Sequence, residues 1–368
     1  MSQVIIRKAA YDNLNQIIKE IFATFPIDVG GKKVFLKPNL VRHWPPSKAA
    51  TTHPALLRAI AEEVERRGGT PWIGDNGIDI QDLYRVTEME KTCGSYLVNI
   101  GKGASLREIG GFQVPISNAF LEADLFINVP KLKTHVIAGM TCCMKNLFGL
   151  IPANSKSRIH GLTGHAKKLT EFFVELYRWR PPDLNIVDGI LAMEGDGPSF
   201  GTPREVGRII AGRDGIAVDA VCTRIIGFAS PRDIKLISIA EKKGLVNFDL
   251  DRVEVDGPMD VIGNFVHPST YAAHLPAQKS SFAADTKKDY QAWVDLGRVN
   301  PVCKDALCTR CGDCLPACPS GAILLNPYPK IDPERCVSCF CCIEACPERA
   351  LVLSIPEELK EKAERMGI

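Results

Sequence analysis

Over roughly the first 260 residues, short apolar runs alternate with longer stretches in which apolar residues recur at helical spacing. Val4–Arg7 reads as a strand, and Leu14–Phe25, apolar at 14, 17, 18, 21, 22 and 25, as a helix. Lys33–Leu36 (KVFL) is a strand that runs into Lys37-Pro38-Asn39. Pro54–Arg67 is expected to be a helix, because proline in a first turn lacks only an N–H that has no partner there, and Gly68-Gly69 supplies its end. Thr70–Ile73, Asp124–Val129, Leu184–Val187 and Gly207–Ala211 read as further strands, with helices at Ala217–Ile226 and Ile234–Lys243. This alternation predicts an α/β fold with a mainly parallel sheet flanked by helices.

The pattern weakens near Met259. Residues 259–300 mix Pro, Ser, Ala and His with little periodicity, and are read as a connector, partly helical around Lys287–Leu296. Beyond it, cysteines take over. Cys308, Cys311, Cys314 and Cys318 read C-x-x-C-x-x-C-x-x-x-C and close on Pro319; Cys336, Cys339, Cys342 and Cys346 repeat the spacing and close on Pro347. Thiolates converging from short, tightly wound loops suit iron–sulfur clusters, whereas structural zinc more often takes paired knuckles separated by a longer loop. Residues 303–355 therefore resemble a bacterial-type 2[4Fe-4S] ferredoxin domain, with short strands at Ala322–Leu325 and Ala350–Leu353. That resemblance implies two [4Fe-4S] clusters and crossed ligation, in which the fourth cysteine of each run serves the other cluster. Cluster 1 would take Cys308, Cys311, Cys314 and Cys346, and cluster 2 Cys336, Cys339, Cys342 and Cys318. Cys303 and Cys341 are read as small buried hydrophobes. The expected organisation is an α/β domain at 1–258, the connector at 259–300, a small α+β ferredoxin-like domain at 301–355, and a C-terminal segment at 356–368 whose Glu357–Met366 reads as a short charged helix.

Length and composition narrow the partners. At 368 residues the chain has room for two or three domains, so the cysteine module is one part of it. A net charge of +2 gives no reason to expect nucleic acid or an acidic membrane surface. No apolar run approaches the ~18 residues of a membrane span. The first residues, MSQVIIRKAAYDN, do not resemble a signal peptide. Fourteen cysteines in such a chain point to a reducing cytoplasm and to metal ligation rather than disulfides.

The remaining chemistry gathers just after strands, where open α/β sheets bind their ligands. Lys37-Pro38-Asn39, Gly74-Asp75-Asn76, Pro130-Lys131-Leu132-Lys133-Thr134-His135 and Asp188-Gly189 occupy four such ends. One lysine or aspartate after a strand is ordinarily a solvated turn residue; four such ends together point to a shared site. Lys37, Lys131, Lys133 and Lys145 with His135 are donors suited to a small anionic ligand bearing phosphate or carboxylate, and Asn39 and Asn146 add neutral recognition. His135, Lys131 and Lys145 are the candidate catalytic residues; Lys37, Asn39, Lys133, Asn146, Asp75 and Asp188 are candidates for substrate binding. Asp75, Asp188, Glu194 and Asp196 suit a divalent metal, acid–base work, or pairing with those lysines, the last weighing as much as the other two together. The loop MEGDGPSFG carries Gly195, Gly197 and Gly201, a weak signal of close backbone approach. No G-x-G-x-x-G follows the first strand and no Walker motif occurs. Cys142-Cys143 read either as a packed pair or as a thiolate activated by nearby lysines, and neighbouring side chains are expected to diverge too far to chelate one ion. Lys156, Arg158 and His160 (NSKSRIHG) read as a loop, solvated or closing over an anion, and His165 as a surface residue opening a helix to Trp179.

K-P-N and P-K-L-K-T-H after strands, K-N-L-F-G-L at Lys145–Leu150, and V-D-G-I…M-E-G-D-G-P from Val187 to Pro198 are together similar to the family catalogued as domain of unknown function 362, over roughly residues 34–255. The resemblance implies a fold, a site location and an iron–sulfur redox context, and supplies no reaction. The leading expectation is a cytoplasmic oxidoreductase component whose clusters exchange single electrons with a small anionic ligand at the strand ends. The alternative is an electron carrier or metallocofactor-maturation protein without turnover of its own. Either admits a redox partner protein; neither needs nucleic acid or a membrane.

Overall fold

A computed structural model of the chain describes residues 3–76, 79–163, 166–268, 271 and 299–366. Two compact units emerge: Met1–Ala153 with Phe173–His267, and Asn154–Phe172 with Pro268–Ile368. The expected boundaries near 258 and 300 are continuous in sequence, whereas residues 154–172 leave the α/β chain to join the C-terminal unit. The connector helix expected around Lys287–Leu296, and His165, lie outside the described residues.

The first unit contains strands β1 (Gln3–Lys8), β2 (Lys33–Pro38), β3 (Thr70–Ile73), β4 (Ala104–Ile109), β5 (Phe112–Ser117), β6 (Leu125–Val129), β7 (Lys131–His135), β8 (Gly139–Thr141), β9 (Leu184–Glu194), β10 (Thr202–Gly212) and β11 (Glu254–Asp256). Nine of them form one sheet in the order β11-β1-β10-β9-β6-β2-β3, with β7 beside β9 and β8 beside β7; β4 and β5 make a separate hairpin. The pairs β2–β3, β2–β6, β6–β9, β7–β9 and β1–β11 are parallel, while β10 runs antiparallel to both neighbours and β8 to β7. The sheet is thus mixed but mostly parallel, with helices flanking it, as the alternation predicts.

Two strands differ from expectation for one physical reason. The strand expected at Leu184–Val187 continues through Asp188-Gly189 to Glu194, and the Lys131–His135 segment, expected to be a strand-end loop, is itself a buried strand. Charged residues inside a sheet ordinarily end a strand. Here Asp188 and Lys131 sit opposite each other in the β7–β9 register and neutralise one another. The bulge between Glu205 and Arg208 in β10 contains Gly207, whose φ of +64° suits a residue without Cβ.

The core follows helical arithmetic. Leu14, Ile17, Ile18, Ile21 and Phe22 form the inner stripe of helix Leu14–Thr24, packed in one cluster with Leu56, Leu57, Ile60 and Val64 of helix Pro54–Arg66 and with Val34 and Leu36 of β2. Full burial of such a side chain stabilises by about 1.5–3 kcal/mol. Helix Gly215–Ile225 is buried along nearly its whole length, and the Asp214 carboxylate caps it by accepting from the N–H of Ile216 and Ala217.

The second unit contains β12 (Asn300–Cys303), β13 (Ile323–Leu325), β14 (Pro329–Ile331) and β15 (Leu351–Ser354), joined as antiparallel pairs β12–β15 and β13–β14. Short helices Cys314–Ala317 and Cys341–Ala345 carry a cysteine of each run, and Glu357–Arg365 forms the expected C-terminal helix. No helix among the described residues is long and apolar enough to cross a membrane.

Candidate functional site

The strand ends do come together, but their charges face one another. Lys37 Nζ lies 2.8 Å from Asp75 Oδ2, both side chains fully buried, and the same oxygen accepts from the Leu40 N–H at 2.8 Å. Lys131 Nζ lies 2.9 Å from Asp188 Oδ2, again inside the protein. Lys133 Nζ donates to the Ala50 carbonyl at 2.6 Å. Three of the four candidate lysines therefore hold the sheet ends together. The fourth, Lys145, places its ammonium 5.0 Å from the Phe173 ring centroid and 5.9 Å from that of Phe148. His135 is buried and turns back on its own loop, Nδ1 accepting from the Ile137 and Ala138 N–H groups. Of the open readings for the acids, Asp75 and Asp188 take the pairing with lysine. Glu194 accepts from the Val266 N–H, with Arg204 Nη1 at 3.9 Å, and Asp196 is half-buried.

Amides link these pairs. Asn39 Nδ2 donates to Asn146 Oδ1 (3.0 Å), Asn146 Nδ2 to Asn128 Oδ1 (2.8 Å), and Asn128 Nδ2 to Asn185 Oδ1 (2.9 Å). The K-N-L-F-G-L motif is thereby explained: Asn146 also reaches the Lys37 and Pro38 carbonyls, and a Cβ on Gly149 would overlap Lys37 Nζ and Asp75 Oδ1. Asn128 and Asn185 escaped the sequence reading, although an asparagine inside an otherwise apolar strand is the signal that marks them.

The Lys131–Asp188 pair has a third member. Tyr11 Oη donates to Asp188 Oδ1 (3.0 Å) and accepts from Lys131 Nζ (3.1 Å) and the Leu191 N–H (3.3 Å). His53 stacks on Tyr11 with ring centroids 3.7 Å apart, and its backbone N–H donates to Asp188 Oδ2. Burial pushes the Tyr11 phenol up, with the Asp188 charge second, and burial lowers His53 and Lys131. Tyr11 and His53 form part of the wall of an open cavity of about 610 Å³ that includes Pro45, Ile190, Glu88 and Glu205. Neither residue carries a local sequence signature; both are joined to Asp188 only by the fold.

In the C-terminal unit the two cysteine runs have one backbone plan. Arg310 and Ser338, two residues after each first cysteine, adopt φ of +62° and +50°; Gly312 and Phe340 follow at +85° and +59°, and Gly321 and Arg349 at +58° and +53°. Left-handed residues between right-handed ones wind the chain so that successive N–H groups point into one concavity, which favours an anionic group. The Ala322 N–H donates to Cys318 Sγ (3.2 Å) and the Ala350 N–H to Cys346 Sγ (3.3 Å), equivalent bonds in the two repeats. Cys308, Cys311 and Cys314 of the first run line one small cavity together with Cys346 of the second. Cys342, Cys339, Cys336 and Cys318 lie near enough that the first is pushed up by burial and then by the charges of the other three. Soft thiols in two such fours fit cubane clusters. Cys341, read as a small buried hydrophobe, is half-buried and lies 3.5 Å from His160 Nδ1; hydrogen bonding from Cys341, then burial against it and bonding from His160, bring Cys339 to about 5. Cys303 lies beside Cys308. The NSKSRIHG segment is helical (Ala153–Thr163) rather than a loop.

The geometry corresponds to a known class. Residues 34–224 match the model for a domain of unknown function (DUF362), and residues 307–350 match a 4Fe-4S dicluster domain. The chain belongs to the DUF362 family and carries an iron–sulfur domain of the dicluster type. It is similar to the thylakoid-associated protein sll1697 of Synechocystis sp., with 35% identity over 230 residues, 58% of this chain and 69% of that one. Among solved structures, the lactate racemase apoprotein from Thermoanaerobacterium thermosaccharolyticum aligns at a TM-score of 0.38 and 14% identity, over 58% of this chain and 55% of that one.

Proposed function

We propose that this is a cytoplasmic oxidoreductase component in which two [4Fe-4S] clusters exchange single electrons with a small ligand held by the α/β unit. What supports the reading is that Cys308, Cys311, Cys314 and Cys346 line one cavity, and that Cys318, Cys336 and Cys339 lie near Cys342, in keeping with two crossed fours. When bound, the clusters supply one-electron chemistry.

The α/β residues supply position and protons. Tyr11 lines the 610 Å³ cavity while its hydroxyl donates to Asp188 and accepts from Lys131, so it braces the wall and leaves the stacked His53 ring to move a proton. Lys37, Lys133 and Asp75 fix the strand ends that carry this arrangement, and the Asn39–Asn146 link locks them. Glu88 and Glu205 in the wall disfavour a polyanion. The ligand that fits is small, with one acceptor group, carbonyl or carboxylate, at His53 and an apolar body against Pro45 and Ile190. His135 and Lys145 act in this scheme through structure.

Anaerobic reconstitution, iron counting and redox titration test it. About eight irons per chain with reversible one-electron reduction are expected, as is a retained small molecule that a His53→Ala variant releases or fails to turn over. Reversible clusters beside a cavity that retains nothing would favour the carrier reading, and fewer than four irons would overturn the cluster assignment.

A further inference from the structure

Away from the strand-end cavity, two thiols and a carboxylate meet inside the α/β unit, with a third thiol one helical turn away. Cys142 and Cys143 lead into the short helix Cys143–Asn146, while Asp219 and Cys222 stand one turn apart on helix Gly215–Ile225. Cys142 Sγ and Cys143 Sγ are 4.0 Å apart, so these neighbours converge where divergence was expected. One ligand atom each from Cys142, Cys143 and Asp219 lie within 4.8 Å of one another, and Cys222 is buried one helical turn beyond Asp219. Asp219 accepts from the N–H of Cys143 (2.7 Å) and Met144 (3.1 Å). The approach depends on Gly215, where a Cβ would come 3.1 Å from Cys143 Cβ. All four residues are buried.

The charge pattern here is unlike the rest of the unit. Buried Asp75 and Asp188 each have a lysine, but Asp219 forms no ion pair with any described residue. A buried carboxylate is ordinarily paired or bound to a metal. Packing alone explains buried thiols, which are small and apolar; it does not explain a carboxylate set beside two of them. Tetrahedral zinc with bonds of about 2.3 Å sets sulfurs about 3.8 Å apart, close to the observed spacing.

We propose that Cys142, Cys143 and Asp219 hold one divalent ion, Zn²⁺ or Fe²⁺, separate from the iron–sulfur clusters. Its ligands come from both elements, so the ion ties helix Gly215–Ile225 to the Cys142–Asn146 segment. The Asn128 side chain, donating to the Cys143 carbonyl at 3.1 Å, connects it to the amide chain of the strand ends.

The test uses the full chain with its clusters, prepared anaerobically from cells grown with cobalt or zinc. Elemental analysis is expected to give about one such ion per chain besides cluster iron, and cobalt-loaded protein a thiolate-to-cobalt charge-transfer band. A Cys142→Ser/Cys143→Ser variant should lose both while keeping its cluster absorbance. Asp219→Asn, nearly isosteric, should weaken retention at least tenfold against a chelator. If the iron count alone exceeds the clusters by one, and the excess vanishes in either variant, the ion is ferrous and the site stands. Wild-type protein that holds no ion beyond cluster iron and takes up no cobalt overturns the proposal, as does a variant that keeps the ion.

Discussion

The strand-end site and the cysteine loops both take reactive groups out of water, but they differ in the source of the balancing charge. At the strand ends the chain supplies it: Lys37 answers Asp75, Lys131 answers Asp188, and four asparagines satisfy one another in sequence. The cysteine loops instead collect four thiols around one concavity, twice, and turn backbone N–H groups toward the sulfurs. The first arrangement is complete as a protein. The second is complete only with a cation-bearing group between the thiolates, which is why metal belongs to one region and a stable polar framework to the other.

Removing the metal should separate the two most sharply. Iron depletion is expected to melt the cluster loops, seen as rapid amide exchange over residues 308–346, while the sheet of β2, β6 and β9 keeps its protection. Equal loss of protection in both regions would break the contrast. The next effect lies at the strand ends. Asp188→Ala leaves Lys131 buried without its counter-charge and should lower unfolding free energy by about 3–5 kcal/mol. The double variant Lys131→Met/Asp188→Leu should recover most of that loss in denaturant titration, because it removes both charges. If the double variant is no more stable than the single one, the pair is needed for more than mutual neutralisation. The smallest effect concerns the cysteine loops themselves. His160→Ala removes a donor beside Cys339 and Cys341, and should lower the potential of one cluster by roughly 40 mV, the one-electron equivalent of a hydrogen bond of about 1 kcal/mol. Potentiometric titration followed by EPR should show the other cluster unmoved.

The same contrast governs what the sequence disclosed. Cysteine ligands lie within eleven residues in each run, so spacing alone reports their chemistry. The mostly parallel sheet was legible too, since β1, β2, β3 and β6 carry their own apolar pattern. Tyr11 and His53 were not, because each meets Asp188 across more than a hundred residues and neither stands in a patterned motif. The strand-end lysines were found but their direction was not: a sequence shows that Lys131 and Asp188 follow strands, and only the β7–β9 register shows that they face each other. Asp219 was hidden for the opposite reason, as an ordinary member of a helix buried nearly all round.

The path of the chain has a practical consequence for anyone who would dissect it. Residues 154–172 belong with the C-terminal residues although they are encoded within the α/β half, so the polypeptide passes from one unit to the other three times. A gene fragment starting at residue 299 would therefore produce a ferredoxin-type module without His160, and a truncation before it would leave an α/β half holding a stray helix. Neither piece is a natural cassette. Grafting this iron–sulfur module onto another protein would require carrying both segments.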